Sequence, residues 1–163
     1  MEAKNEISGD YIAGFTDGEG CFSLTYRKDK GRYFYWKASF IIMLRGDDGE
    51  ILNTIKDYFK CGSVTFTKDA VRYQIYDTKM LINTIIPFFE KHSLIGKKKY
   101  DFDLWKKSVN IIYKNKKENT NSEAGVKGFT KNEWNNGDLE ELRIIREKMQ
   151  IYKSGGKGRT LKY

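Results

Sequence analysis

The chain has 163 residues, 39% of them apolar and 15% aromatic, which suffices for one well-packed core and shows no composition break that would call for a second domain. No apolar run approaches the ~20 residues of a membrane span, and the opening MEAKNEISGD lacks the basic head and apolar middle of a signal peptide. Cys21 and Cys61 have no CxxC or Cys/His spacing, so neither a zinc site nor a disulfide framework is indicated, and both read as small buried apolar residues. Thirty Lys and Arg against 22 Asp and Glu leave a net charge of +8, which favours a polyanionic partner. A membrane surface is the rival, but no basic amphipathic helix with a Trp/Leu face is present.

The first element reads as a helix capped by Ser8, with Ile7 and Ile12 spaced as a hydrophobic staple, Asp10 in the first turn, and Gly18 and Gly20 as stop signals. Next, in CFSLTYRK, Phe22, Leu24 and Tyr26 alternate with polar residues as a strand does. The turn DKGR leads to a second strand with Trp36, Ala38, Phe40 and Ile42 inward and Tyr35, Lys37, Ser39 and Ile41 outward, making a hairpin. Ile51, Leu52, Ile55, Tyr58 and Phe59 then have helical spacing, closed by Cys61 and Gly62. SVTFTK and VRYQIYD form a second hairpin, with Val64, Phe66, Tyr73 and Ile75 inward and Ser63, Thr65, Thr67, Arg72 and Gln74 outward. A helix over about 79–91 follows, in which Pro87 marks a kink or a division.

This order is an α+β arrangement, an antiparallel sheet with helices on one face. The other face, rich in Ser, Thr, Tyr, Gln, Arg and Lys, is either a plain solvated surface or one suited to base edges and phosphates. The basic stretch GKKKYDFDLWKKSVNIIYKNKK should be a helix with Phe102, Trp105, Val109 and Ile112 inward; a polar connector, ENTNSEAGVKG, leads to a last helix with Leu139, Leu142, Ile144, Ile145 and Met149 as its buried stripe. The domain is expected to span 1–153, with 154–163 a basic, flexible tail. His92 follows a helix and suits a structural role. Gly46 to Glu50 lacks calcium-loop spacing and suits a helix start, and Trp36, Trp105 and Trp134 suit core anchors.

Glycine inside a helix costs roughly 1 kcal/mol relative to alanine, so Gly14 and Gly18 need another reason. On a helix Ala13 pairs with Asp17 and Gly14 with Gly18, leaving a nearly bare strip along which a second backbone can come close. A second copy of the same helix would make the contact isologous and bring two Glu19 carboxylates together, a donor set that suits Mg²⁺ bridging protein and phosphate.

IAGFTDGEG, Ile12 to Gly20, resembles the signature of the LAGLIDADG homing endonucleases, identical to it at Ala13, Gly14, Asp17 and Gly20. The strand pattern, the GKKKYDF run and the LEELRIIREKM helix are similar to that family as well, from Tyr11 to about Tyr152. The resemblance implies an αββαββα core with an antiparallel four-stranded saddle sheet and added C-terminal helices. With one motif, it implies a homodimer on a long, near-palindromic double-stranded DNA target. It also implies Mg²⁺-dependent hydrolysis of one phosphodiester per strand across the minor groove, leaving 3′ overhangs.

Carried onto this sequence, the resemblance makes Glu19 the catalytic, metal-binding acid, the Gly18 carbonyl a backbone metal ligand, and Asp17 a residue that structures the helix end. Ala13, Gly14, Asp17 and Gly18 become the dimer interface. Lys98 becomes the basic residue near the scissile phosphate, although Lys97 or Lys99 could serve, and a triple lysine is equally a solvated phosphate contact. The polar residue usual at the end of the second strand falls on Leu44, a departure from the pattern, or on Arg45, the candidate able to order solvent. DNA contacts are expected from Ser23, Thr25, Arg27, Tyr35, Lys37, Ser39, Ile41, Thr65, Thr67, Arg72 and Gln74, and backbone contacts from Lys28, Lys30 and Arg32 in the hairpin tip. Two other functions fit a basic protein of this fold: a non-catalytic DNA-binding regulator and an RNA-binding intron maturase. The composition, rich in Lys, Asn, Ile and Tyr, suits AT-rich coding DNA and an intracellular place in an organelle or a prokaryotic cytoplasm.

Overall fold

The computed structural model of the protein describes residues 7–29, 33–116 and 134–153; for 27–29, 33–35 and 152–153 the backbone alone is described. The hairpin tip with Lys30 and Arg32, the polar connector and the basic tail lie outside these residues.

Helix α1 (Gly9–Glu19) starts where expected: the Ser8 hydroxyl accepts the Tyr11 N–H at 3.1 Å. It runs through Gly18 and passes straight into strand β1 (Gly20–Asp29) at an extended Gly20, with no left-handed stop. Strand β2 (Tyr33–Arg45) returns antiparallel, with Gly20 opposite Ile42 and Phe22 opposite Phe40. Helix α2 (Gly49–Phe59) follows the turn at Gly46 to Asp48. Its acids do not cap through side chains: Asp48 occupies the cap position without a side-chain bond, and Asp47 pairs with Arg45 instead. At its other end Lys60, rather than Gly62, takes the first left-handed conformation (φ 55), and Gly62 follows at φ 83.

Strands β3 (Ser63–Phe66) and β4 (Ala70–Ile75) make the second hairpin, and β4 pairs antiparallel with β2, so the sheet order is β1-β2-β4-β3. Val71, Tyr73 and Ile75 turn inward; the Tyr73 hydroxyl donates to the Cys61 carbonyl at 2.9 Å, and burial pushes that phenol's pKa up. Phe66, expected in the core, is 61% exposed and lies on the bare edge of Gly49. Tyr26 is likewise exposed, leaning on the buried Trp36 at 5.1 Å between ring centres.

The helix over 78–91, called α3, consists of α-helical Thr78–Met80, a π-helical turn at Leu81–Ile85 and α-helical Ile86–Lys91. Pro87 neither breaks nor ends it. The wider turn just before the proline, in which the Ile86 N–H bonds to the Leu81 carbonyl, accommodates a residue that offers no N–H of its own. Helix α4 (Lys98–Lys114) buries Phe102, Trp105, Val109 and Ile112 as its spacing predicts. Helix α5 (Asn136–Lys153) packs Leu142, Ile145 and Met149 into the core, while Ile144 faces out.

All the helices lie on one side of the sheet, around Phe22, Phe40, Phe89, Phe102 and Trp105, whose rings meet edge to face or tilted. Among the described residues nothing covers the other side of the sheet. Among the described residues no helix is long and apolar enough to cross a membrane.

Candidate active site

The C-terminal end of α1 is the focal point. The last carbonyls of a helix have no partner within it and carry the negative end of its dipole, and the last turn of α1 contains no basic residue. That charge comes from elsewhere in the chain: the Lys98 ammonium donates to the carbonyl oxygens of Asp17 at 2.8 Å and Gly18 at 3.1 Å. Lys98 reaches them because the loop before α4 is tied to α1. The Asp17 carboxylate accepts the Ile95 N–H at 2.8 Å and the Gly96 N–H at 3.3 Å. The residue expected to structure the helix end therefore joins it to the loop that delivers the lysine. Lys97 and Lys99 stand exposed on either side.

Glu19, next in sequence, is exposed at the junction of α1 and β1. Its carboxylate and the Gly18 and Asp17 carbonyls are hard oxygen donors of the kind that suit Mg²⁺, and a cation, the Lys98 ammonium, already sits on two of them. Among the described residues no group of three or more His, Cys, Asp and Glu side chains converges as a metal cluster.

The helix face around Gly14 and Gly18 differs from the expected one. Ala13 is only 4% exposed and packs into the chain's own core with Ile12, and Asp17 is engaged with the loop. The open strip is Tyr11, Gly14, Phe15 and Gly18, with the rings of Tyr11 and Phe15 stacked at 6.0 Å. A Cβ on Gly14 or Gly18 would meet nothing within 4 Å. At the other end of α1 the His92 ring lies against Gly9, where a Cβ would come within 2.4 Å of it, and its Nδ1 meets the Asp10 carboxylate at 2.6 Å. His92 thus braces α1 and stands away from Glu19.

On β2, strand parity turns Leu44 and Arg45 to opposite sides. Leu44 packs against the core, and Arg45 points to the uncovered face, paired with Asp47 at 3.1 Å. On that face Ser23, Thr25, Lys37, Ile41, Thr65, Arg72 and Gln74 are exposed or half-buried, while Arg27, Lys28 and Tyr35 are strand positions whose side chains are not described. Two expected contacts are otherwise engaged. Ser39 is 4% exposed, and the Thr67 hydroxyl closes the β3–β4 turn, donating to the Ala70 carbonyl at 3.0 Å and accepting its N–H at 3.1 Å. Two residues join the face that the sequence reading left out, Met43 and Tyr76, both more than half exposed. Continuing the alternation two residues past Ile41 and past Gln74 would have found them. The Arg72 guanidinium lies 3.9 Å from the Met43 sulfur, and the Lys37 ammonium sits 4.0 Å above the Tyr76 ring. Cys21, half-buried like Cys61, also falls on the outward register of β1, opposite Ile41.

The family model described as LAGLIDADG endonuclease matches residues 12–109, from the second turn of α1 into α4. The chain belongs to the LAGLIDADG endonuclease family. Among sequence relatives of this LAGLIDADG chain, "Probable intron-encoded endonuclease 2" of Neurospora crassa is 34% identical over 115 residues, covering 68% of this chain and 25% of the relative. "Probable intron-encoded endonuclease Cox1-I1b" of Schizosaccharomyces pombe is 29% identical over 144 residues, covering 87% and 34%. The chain thus spans a quarter to a third of the length of these two curated relatives.

Solved structures share the LAGLIDADG fold. I-SmaMI bound to an uncleaved DNA target in the presence of calcium ions superposes with a TM-score of 0.74 at 23% identity, over 91% of this chain and 47% of that one. The homing endonuclease I-TnaI superposes with a TM-score of 0.72 at 22% identity, over 93% of this chain and 91% of that one.

Proposed function

We propose that this LAGLIDADG chain is a site-specific double-strand DNA endonuclease that works as a homodimer with Mg²⁺. The observation that carries this reading is the end of α1, where the Asp17 and Gly18 carbonyls receive the ammonium of Lys98, from the start of α4, next in sequence to the exposed Glu19.

In this reading the Tyr11, Gly14, Phe15 and Gly18 strips of two copies meet about a two-fold axis, bringing each Glu19 beside its counterpart. The two sheets then form one continuous surface over the duplex. Lys37, Arg72 and Gln74, with Arg27, face the DNA for phosphate and base contacts; each good bidentate readout is worth about 1–3 kcal/mol of discrimination. Glu19 and the Gly18 carbonyl would hold the divalent cation, which when bound supplies charge stabilisation for the leaving oxygen and acidifies water. Asp17 keeps the α4 loop in place, so that Lys98 can balance charge on the scissile phosphate. Arg45, at the rim of the same face, orders solvent. Domain limits of 1–153 and an intracellular, DNA-containing compartment belong to the same proposal.

A supercoiled plasmid library incubated with the protein and Mg²⁺ tests it. Linearisation of particular clones, lost in Glu19→Gln with binding retained, is the expected result. Specific binding without cleavage would favour a DNA-binding regulator, and preference for structured RNA a maturase.

A further inference from the structure

The three lysines Lys97, Lys98 and Lys99 open α4, where the helix dipole favours acids, and no side chain caps that end. A positive charge at a surface helix N-terminus is unfavourable by about 0.3–1 kcal/mol. Helix stability therefore does not explain this cluster. The geometry explains one member of it: Lys98 reaches away from its own helix and places its ammonium on the Asp17 and Gly18 carbonyls, at the opposite pole of α1.

We propose that Lys98 is a resident stand-in for the divalent cation, holding the carbonyl end of the metal site in the unloaded protein and yielding it when the cation enters beside Glu19. The inference rests on the reading of Glu19 and Gly18 as cation ligands. An ammonium at 2.8 and 3.1 Å from two carbonyl oxygens satisfies acceptors that would otherwise face each other's negative charge and that of Glu19. The same ammonium and a divalent cation cannot share the Gly18 oxygen on good terms, because their charges repel at contact distance. Cation entry and release of the lysine are thus one exchange. The freed ammonium, still tethered to a loop that Asp17 holds in place, becomes available to a phosphate only in the loaded protein. Coupling of this kind would keep the site electrostatically quiet until cation and DNA are both present.

Binding of Mn²⁺ to the full chain without DNA, read from the free-ion signal in electron paramagnetic resonance, tests the exchange. Lys98→Met should bind Mn²⁺ at least threefold more tightly than the unmodified chain, because the competing cation is gone. Lys99→Met removes the same charge from the exposed neighbouring position and should change affinity by less than half as much. Lys98→Gln, which keeps a neutral donor, should fall between and serves if Lys98→Met fails to fold.

Unchanged or weaker binding in the Lys98 variants, or an equal gain in Lys99→Met, overturns the stand-in role while leaving the endonuclease reading intact. Mn²⁺ binding that Glu19→Gln does not alter in any background overturns the assignment of Glu19 itself, and the exchange with it.

Discussion

The Asp17 carboxylate accepts the Ile95 N–H at 2.8 Å across 78 residues of sequence and, with the Gly96 N–H at 3.3 Å, ties the loop before α4 to α1. A hydrogen bond to a charged group contributes about 1.5–3 kcal/mol. Asp17 is partly exposed, so the lower part of that range applies. Asp17→Ala is therefore expected to destabilise the fold by about 1–2 kcal/mol, measured as a shift of the urea midpoint. It should also cut plasmid cleavage well beyond that loss, because Lys98 no longer has a fixed approach. An Asp17→Ala protein that cleaves at the original rate would show the loop to be held by other contacts.

The glycines of α1 separate into two kinds, and substitution should tell them apart. At Gly14 an added Cβ meets nothing, so Gly14→Ala should raise stability by up to about 1 kcal/mol through helix propensity. Gly14→Leu should leave the monomer folded yet weaken self-association at least tenfold in sedimentation equilibrium, since the bulk falls on the open strip. Gly9→Ala is expected to melt lower, because its methyl would meet the His92 ring. Dimerisation of Gly14→Leu at unmodified affinity would place the interface on another face.

How far the sequence could reveal this arrangement depended on which forces were local. Alternation in β1, β2 and β4 and the 3.6 period of α4 predict element order and core, because both depend on each residue's own burial. The motif marked Glu19 and Gly18 through resemblance and Gly14 through its cost in a helix. Three features were not legible. The inward turn of Ala13 depends on how α1 rolls on the sheet, which a repeat of four residues leaves open. Thr67 looks like one more outward strand residue, but its hydroxyl bonds across the turn to Ala70, and no pattern of polarity announces that. The Asp17–Ile95 and Lys98–Gly18 bonds join segments about 80 residues apart, beyond the reach of any spacing rule.

Acid should loosen the C-terminal helix first. Asp138, in the first turn of α5, accepts from Asn115 at 2.7 Å and from Lys114 at 3.2 Å, and the bond from Asn115, with Lys114 adding to it, holds its carboxyl below the ordinary carboxylate value. A carboxylate whose folded pKa is depressed stabilises the fold fully above its unfolded value near 3.8 and loses that contribution as pH falls through the folded value. Protection of the α5 amides around Leu142, Ile145 and Met149, taken relative to the intrinsic exchange rate at each pH, should therefore fall below about pH 4. In Asp138→Asn the protection should be lower at neutral pH and lose this acid-dependent step.

The contact between Lys37 and Tyr76 leads to a prediction about target choice. Tyr76 follows directly on β4, whose last residue, Ile75, pairs with Phe40, and the Lys37 ammonium of β2 sits 4.0 Å above its ring. Tyr76 thus holds one cation, so the base-facing surface has one free lysine fewer than a count of outward residues implies. A cation over an exposed ring gains about 0.5–1 kcal/mol, enough to bias the lysine's position without immobilising it. In Tyr76→Ala the lysine is released. Selection of cleaved sites from a randomised target pool should then show relaxed preference at the base pairs facing these residues, with the rest of the site unchanged. Tyr76→Phe, which keeps the ring, should retain the original preference. Equal relaxation in both variants would assign the effect to the Tyr76 hydroxyl instead of the ring that carries Lys37.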